Sequence, residues 1–333
     1  MNPHPAASTE AWDGPEFSVL VTCHYEVKSI DEFFTRLKSA WDATGRTYEI
    51  VMVNDGSTDG TWEKLLALYA QHPEVSAVVD FFRNAGQMAA ATACICESSG
   101  KHFFIMDSDL QLMPEELPKL LAAFDTGQDL VTGYRAERHD SLFRIVPSKI
   151  ANVIMRKASN STLRDFGCTF KIYHGNLIRA FNLGPHRIFS NVDLIASAGR
   201  CVEVPVSHRA RQHGKSGWTF AKLWKYNMEN LVKLSQRPFQ FIAAGCTVLG
   251  LVFFLRILAG FFSPFSVLTE ATNGLILNTL VFALITLLAV LSMIGEFTIR
   301  GFVMLRGQPG YAVREVLRRQ PHHRMADTPR NDA

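Results

Sequence analysis

The sequence predicts an α/β protein: a doubly wound, mostly parallel sheet with helices on both faces, then an interfacial amphipathic helix and two transmembrane helices. Three observations carry this. From residue 17 onward, short β-branched apolar runs alternate with segments of helical period, the pattern of parallel strands joined by crossover helices. Polar clusters follow directly after the apolar runs, where open α/β sheets bind their ligands. Beyond residue 237, two apolar stretches come in succession, each long enough to cross a bilayer.

Composition narrows the class. A chain of 333 residues holds one large domain plus a further segment. The net charge of +3 and the pI of about 8.5 make no case for nucleic-acid binding. Six cysteines show no metal spacing, and Cys94 and Cys96 share a predicted helix, so buried thiols in a reducing compartment are expected. Residues 1–15 are polar with no apolar core, which predicts a disordered N-terminus without a signal peptide.

The elements follow in order. Residues 17–24 form a first strand, and 30–42 a helix, with Ile30, Phe33, Phe34, Leu37 and Trp41 at helical spacing and Gly45 as its stop. Residues 48–53 are nearly continuous in apolar side chains, as a strand covered on both faces should be. A helix to about residue 70, a strand over 75–82 and a helix over 86–98 come next. A strand at Phe103-Phe104-Ile105-Met106 then leads into Asp107-Ser108-Asp109, followed by a helix over 114–124 and a strand over 129–133. Shorter strands are expected at 168–173 and 202–207.

The Asp107/Asp109 pair organises the chemistry. In an extended chain, side chains two apart point to the same side, so the two carboxylates can converge on one cation. Hard oxygen ligands suit Mg²⁺ or Mn²⁺, with substrate phosphates completing the shell. The plainer alternative is an Asx turn capping the next helix. Asn54-Asp55-Gly56-Ser57 is likewise either a turn or a nucleotide contact, and Arg83 sits at a strand end where it can neutralise diphosphate.

Taken together, Asn54-Asp55-Gly56-Ser57-Thr58-Asp59-Gly60-Thr61, Arg83-Asn84-x-Gly86-Gln87 and Asp107-Ser108-Asp109-Leu110-Gln111 resemble family-2 glycosyltransferases. Within the family the chain is most similar to the polyprenyl-phosphate sugar transferases, through Gly86-Gln87, Arg135-x-x-Arg138, Ser148-Lys149 and Asp165-Phe166-Gly167-Cys168. The first strand departs from the family's Pro-x-Tyr-Asn-Glu: here it is Thr22-Cys23-His24-Tyr25-Glu26, and only Glu26 is kept. The resemblance implies a GT-A, Rossmann-like fold and a metal, Mg²⁺ or Mn²⁺, on Asp107 and Asp109. It implies nucleotide-sugar contacts, with a UDP-sugar, from Glu26, Asn54, Asp55, Arg83, Gln87, Asp107, Ser108 and Gln111. Acceptor and phosphate contacts are implied for Arg135, Arg138, Lys149, Arg209, Lys215 and Ser216, and catalytic roles for Asp109, Asp165 and Arg211.

The later chain adds the membrane. Arg209-x-Arg211-x-x-Gly214-Lys215-Ser216 reads as solvated surface or, by resemblance, as a loop closing over phosphates. Residues 218–234 interleave Trp218, Phe220, Trp224 and Leu231 with lysines, which suits a membrane interface. Residues 239–262 and 275–297 are long enough to cross about 30 Å of hydrocarbon at roughly 1.5 Å per residue. The loop 263–274 has no Lys or Arg, whereas Arg300, Arg306, Arg314, Arg318 and Arg319 follow the second span. The positive-inside rule puts both termini in the cytoplasm.

The expected organisation is a disordered 1–15, a catalytic domain over 16–217, a juxtamembrane helix over 218–236, a transmembrane hairpin over 237–299 and a basic tail over 300–333. The expected function is inverting sugar transfer from a nucleotide diphosphate to undecaprenyl phosphate at the bacterial inner membrane, for envelope glycan modification. Its partners are the donor, the lipid acceptor and membrane lipid, with no nucleic acid; a homo-oligomer is left open. Two rivals stand beside it. A processive polysaccharide synthase carries Gln-x-x-Arg-Trp, which is absent because neither Trp218 nor Trp224 follows an arginine. A non-catalytic membrane scaffold would lack the aspartates and arginines that are present here.

Overall fold

Strand β1 (Phe17–Cys23) is buried along its whole length, because helices cover both faces of the sheet around it. The structure is a computed structural model that describes residues 12–135, 156, 163–208 and 308–319, with scattered helical positions and short runs between 245 and 302. After β1 come α1 (Ile30–Asp42), β2 (Tyr48–Asn54), α2 (Thr61–Gln71), β3 (Val75–Phe81), α3 (Gln87–Cys96) and β4 (His102–Asp107). A short 3₁₀ turn (Pro114–Glu116) leads into α4 (Leu117–Phe124), followed by β5 (Leu130–Arg135) and β6 (Lys171–Tyr173). The helices α5 (Gly175–Arg179) and α6 (Asn191–Ser197) precede β7 (Cys201–Val206), and β8 (Val313–Arg318) is the last of the described strands.

The sheet order is β7-β5-β6-β4-β1-β2-β3-β8. Strands β3, β2, β1 and β4 run parallel, as the alternation of runs predicts. One face is covered by Phe33, Leu37 and Trp41 of α1 with Leu65 of α2 and Leu120 of α4. The other is covered by α3, buried at every position from Ala89 to Ile95. Its small side chains let it lie close on the sheet: Cys94 Sγ reaches Val21 O at 3.6 Å and Val51 O at 3.5 Å.

Two features depart from expectation. Strand β6 runs antiparallel to both β4 and β5, so the sheet is mixed on that side. Strand β8 pairs antiparallel with β3, although residues 300–333 are expected to be a basic tail. Its arginines obscure the strand in the sequence, yet Val316 and Leu317 pack on opposite faces of the sheet. Boundaries also move: the fifth strand extends to Arg135, making that residue the strand's end, and the strand expected over 168–173 is confined to Lys171–Tyr173.

The chain divides into two units, one of Met1–Leu234 with Pro309–Ala333 and one of Ser235–Gln308. In the second, the described positions are helical, and apolar side chains such as Leu280, Leu284, Leu287 and Leu291 are exposed. Among the described residues, no helix is long and apolar enough to cross a membrane. The predicted interfacial helix lies outside the described residues, as do most of the first predicted span and part of the second.

Candidate active site

Strands β1, β2, β3 and β4 end at one edge of the sheet, and the loops after them hold the polar clusters. Asp107 is the last residue of β4. Its Oδ2 accepts from Thr169 Oγ1 at 2.8 Å, and its Oδ1 accepts from Gln87 Nε2 and from Thr22 Oγ1 at 3.4 Å. Gln87 is the first residue of α3, so a helix start delivers an amide to the carboxylate. Burial, and after it the charge of Asp109, push the Asp107 carboxyl up to about 6.

The turn after Asp107 is held by its own side chains. Ser108 Oγ donates to Thr22 O at 3.0 Å, and Asp109 Oδ1 accepts from Gln111 N at 3.1 Å. Leu110, whose side chain is buried, adopts φ +55°. A bulky residue in that region is strained, and such strain persists where surrounding packing enforces it. Asp107, Asp109, Gln111, Leu112, Arg135, Gly167, Cys168, Thr169 and His208 line one pocket there.

Across that pocket, Arg135 grips Asp165 through two parallel hydrogen bonds, Nε to Oδ2 at 2.8 Å and Nη2 to Oδ1 at 2.9 Å. Asp165 is buried, and its backbone N–H, like that of Arg164, donates to Glu203 Oε1. Behind this turn, Lys171 is fully buried and donates to Phe166 O at 3.2 Å. Burial lowers its pKa.

The nucleotide residues expected from β1 and β2 hold the loops around the pocket. Asn54 is fully buried; its Nδ2 donates to Asp80 Oδ1 at 2.7 Å, and its Oδ1 accepts from Ser57 N at 3.2 Å. Asp55 accepts from Ala85 N at 2.6 Å, Gly86 N at 3.0 Å and Asn84 Nδ2 at 3.0 Å. Burial raises its pKa against those backbone bonds. The Glu26 carboxylate accepts from Ser29 Oγ, and its carbonyl receives the first N–H groups of α1. These three, with Ser108, brace the loops instead of lining the pocket, because buried polar atoms take the nearest protein partner. Arg83 is exposed at the end of β3.

Sequence reasoning also misses residues in the pocket and behind it. Thr22 and Thr169 hold Asp107 from β1 and from the turn before β6; hydroxyls at such spacing carry no signal of their own. His208 reaches the pocket through an isolated antiparallel bridge with Leu112. Arg138, Lys149, Arg209, Arg211, Lys215 and Ser216 lie outside the described residues.

The donor set suits a hard divalent cation. Two carboxylates at a strand end repel each other, which adds to the effect of burial on Asp107, and a cation relieves that repulsion. Among the described residues, no further His, Cys, Asp or Glu joins them in a metal-holding group. The remaining coordination positions would fall to ligand oxygens.

Comparison with known proteins gives this arrangement a family. Residues 18–183 match the model of Glycosyl transferase family 2. The chain is 30% identical over 315 residues to the undecaprenyl-phosphate 4-deoxy-4-formamido-L-arabinose transferase of Edwardsiella ictaluri, covering 90% of this chain and 94% of that one. Among solved structures, glucosyl-3-phosphoglycerate synthase from Mycobacterium tuberculosis, in complex with Mn²⁺, UDP-glucose and phosphoglyceric acid, aligns with a TM-score of 0.48 at 18% identity over 66% of this chain and 79% of that one. The S. aureus protein TarS in complex with UDP-GlcNAc aligns with a TM-score of 0.45 at 17% identity, over 65% of each chain. The family match spans β1 to β4 and the loops that hold Asp55, Arg83 and Asp107, and the relative extends the similarity over 90% of the chain, so this protein belongs to glycosyl transferase family 2.

Proposed function

We propose that the protein is a membrane-bound, inverting glycosyltransferase that moves a sugar from a UDP-sugar to undecaprenyl phosphate, for modification of cell-envelope glycans. The observation that carries this reading is the pocket in which the Asp107/Asp109 pair faces Arg135. It offers a carboxylate pair for a metal–diphosphate and a guanidinium for a second phosphate. The Edwardsiella relative, matched over most of both chains, supports the lipid phosphate as acceptor.

The chain's own residues divide the work. Asp107, held by Thr22, Thr169 and Gln87, and Asp109, fixed by the turn to Gln111, would hold Mg²⁺ or Mn²⁺, which supplies positive charge to the leaving diphosphate. Arg83 at the neighbouring strand end adds charge on the donor side. Arg135, aimed by Asp165, receives the acceptor phosphate; a planar guanidinium suits this because it binds phosphate in a two-point grip. A phosphate oxygen then bonds to the anomeric carbon as the bond to the diphosphate oxygen breaks, and the electron pair leaves with UDP. A phosphate monoester with a second pKa of about 6 is largely dianionic at neutral pH, so the reaction needs no strong base. The two bonds from Arg135 support a positioning role for Asp165 over proton abstraction.

His208 lies at the pocket, and Arg209 follows it directly, which supports placing Arg209, Arg211, Lys215 and Ser216 at the phosphates. The exposed apolar positions of the second unit support a membrane seat for residues 237–299, with residues 218–236 at the interface and residues 16–217 as the catalytic part. Strand β8 belongs to the same sheet as β1. The chain that leaves the catalytic unit therefore returns to the same side of the bilayer, in keeping with a cytoplasmic catalytic domain at the inner membrane.

The test is to incubate purified protein with undecaprenyl phosphate, Mn²⁺ and a panel of labelled nucleotide sugars that includes UDP-glucose and UDP-formamido-arabinose. Labelled sugar extracted with the lipid, and lost when metal is chelated, is the expected outcome. Transfer to a soluble acceptor, or no lipid product from any donor, would overturn the acceptor assignment.

A further inference from the structure

Strand β8 comes in the sequence only after the whole second unit, yet it begins beside the loops proposed for the donor. Its pairing with β3 is regular from Ala77↔Arg318 to Asp80↔Glu315, then shifts, so that Phe81 faces Val313 and Arg314 has no counterpart. Such a bulge re-aims the extra side chain. Here it turns Arg314 back across the edge of β3: Nη1 donates to Asp80 Oδ2 at 2.9 Å, and Nη2 donates to Phe82 O at 3.3 Å. Its guanidinium lies 5.4 Å from the centre of the Phe82 ring. Phe82 N donates to Ala312 O, and the Tyr311 ring stacks on Phe81 at 4.9 Å, so the strand is fastened at this end.

Asp80 is buried, and the reaction scheme gives it no task. Its other oxygen takes the Asn54 amide, and Asn54 in turn accepts from Ser57 N. Ser57 Oγ accepts from Tyr25 N at 2.9 Å. The line Arg314–Asp80–Asn54–Ser57 thus runs from the last strand into the β2–α2 loop and on to the loop after β1. Close packing couples the β3–α3 loop to the same line. Gly56 lies so near Arg83 and Asn84 that a Cβ there would come within 2.4 Å of their backbone.

We propose that Arg314 is a positioning residue for nucleotide-sugar binding: it neutralises buried Asp80 and thereby holds the Asn54–Ser57 and Arg83–Gly86 loops in their ligand-ready arrangement. The donor site is then complete only when the chain beyond the second unit has returned and paired with β3. This rests on the reading above that a UDP-sugar binds at this edge. Without Arg314, the buried Asp80 carboxylate keeps the Asn54 amide and loses its charged partner, and the loops shift to bring it water or another donor.

The test measures binding of UDP with Mn²⁺, and thermal unfolding, for the full chain in detergent. Arg314→Ala should weaken UDP at least about tenfold, raise the KM for the donor more than it lowers kcat, and unfold no earlier than Arg318→Ala. Arg318 lies on the same strand and pairs with Glu97 at 2.5 Å, so Arg318→Ala reports strand anchoring alone and should bind UDP as the wild type does. Arg314→Lys should fall between wild type and alanine. Adding Asp80→Asn to Arg314→Ala removes the stranded charge and should restore part of the affinity. If Arg314→Ala does not fold, Arg314→Lys and the double variant decide, by the same comparison with Arg318→Ala. Wild-type affinity in Arg314→Ala, or equal loss in Arg314→Ala and Arg318→Ala, overturns the proposal. A wild-type protein that binds no UDP overturns the donor reading itself, and the proposal with it.

Discussion

Asp109 Oδ1 accepts from the Gln111 backbone N–H, which fixes the turn, while Asp107 takes three side-chain donors. Asp109→Ala is expected to lower turnover by on the order of 10²-fold or more, as loss of a preorganised charged group does, and to remove the metal dependence of UDP binding. Unchanged turnover at saturating Mn²⁺ would remove it from the metal site. For Asp165, a double-mutant cycle is decisive. If it acts by aiming Arg135, adding Asp165→Asn to Arg135→Ala should slow the enzyme no further than Arg135→Ala alone; independent, multiplying losses would make Asp165 a group with its own role. Away from the site, His102 gives a pH prediction. Its Nδ1 accepts from Gly175 N at 3.3 Å, and burial lowers its pKa from 6.5 to about 3. The His174 ring, 4.7 Å away and also lowered, together with Lys101, Arg179 and Arg46, opposes a further charge. Between those pH values the unfolded chain binds a proton that the folded one refuses, so stability falls as pH drops below about 6.5. The loss near pH 5 is on the order of 2 kcal/mol. Thermal midpoints at about pH 7 and 5 should differ less for His102→Phe than for wild type; an equal difference would assign the acid sensitivity elsewhere.

At the level of elements, the loops proposed for the donor depend on backbone contact more than on exposed side chains. Gly56 has φ +68° and touches the Arg83–Asn84 backbone. Gly56→Ala adds both conformational strain and a clash that no side-chain rotation relieves. It should weaken UDP binding at least about tenfold and destabilise by more than about 1 kcal/mol, read by titration and thermal unfolding. Wild-type affinity would separate the two loops. The strands β1 to β4 and their helices were legible because apolar period and strand-end polarity agree there. Strand β8 was not, because an edge strand needs only part of its length apolar, and three arginines in 313–319 looked like a tail. Asn54 and Ser108 were legible as site-proximal, but their partners, Asp80 and the Thr22 carbonyl, are set by sheet pairing and not by sequence distance.

For the molecule as a whole, the return of the chain to β3 constrains topology. The segment between the catalytic unit and β8 must cross the bilayer an even number of times, or not at all. A cysteine placed at Thr272 should be labelled from outside intact cells, and one placed at Ala326 should not. Labelling of both would break the two-crossing arrangement, and the opposite pattern would invert it.

The sequence by itself determined the alternating α/β framework, the edge of the sheet where the polar clusters gather, and the Asp107–Asp109 pair. Each follows from short-range pattern: the period of apolar residues and the two-residue spacing of an extended chain. Tertiary structure alone decided which polar residues face the pocket and which are spent inside its walls. It paired Arg135 with Asp165, brought Thr169 and Thr22 to Asp107, and linked Arg314 through Asp80 to Asn54. Those partners lie far apart in the chain, and a buried polar atom is satisfied by whatever donor the fold places nearest, which local pattern does not encode.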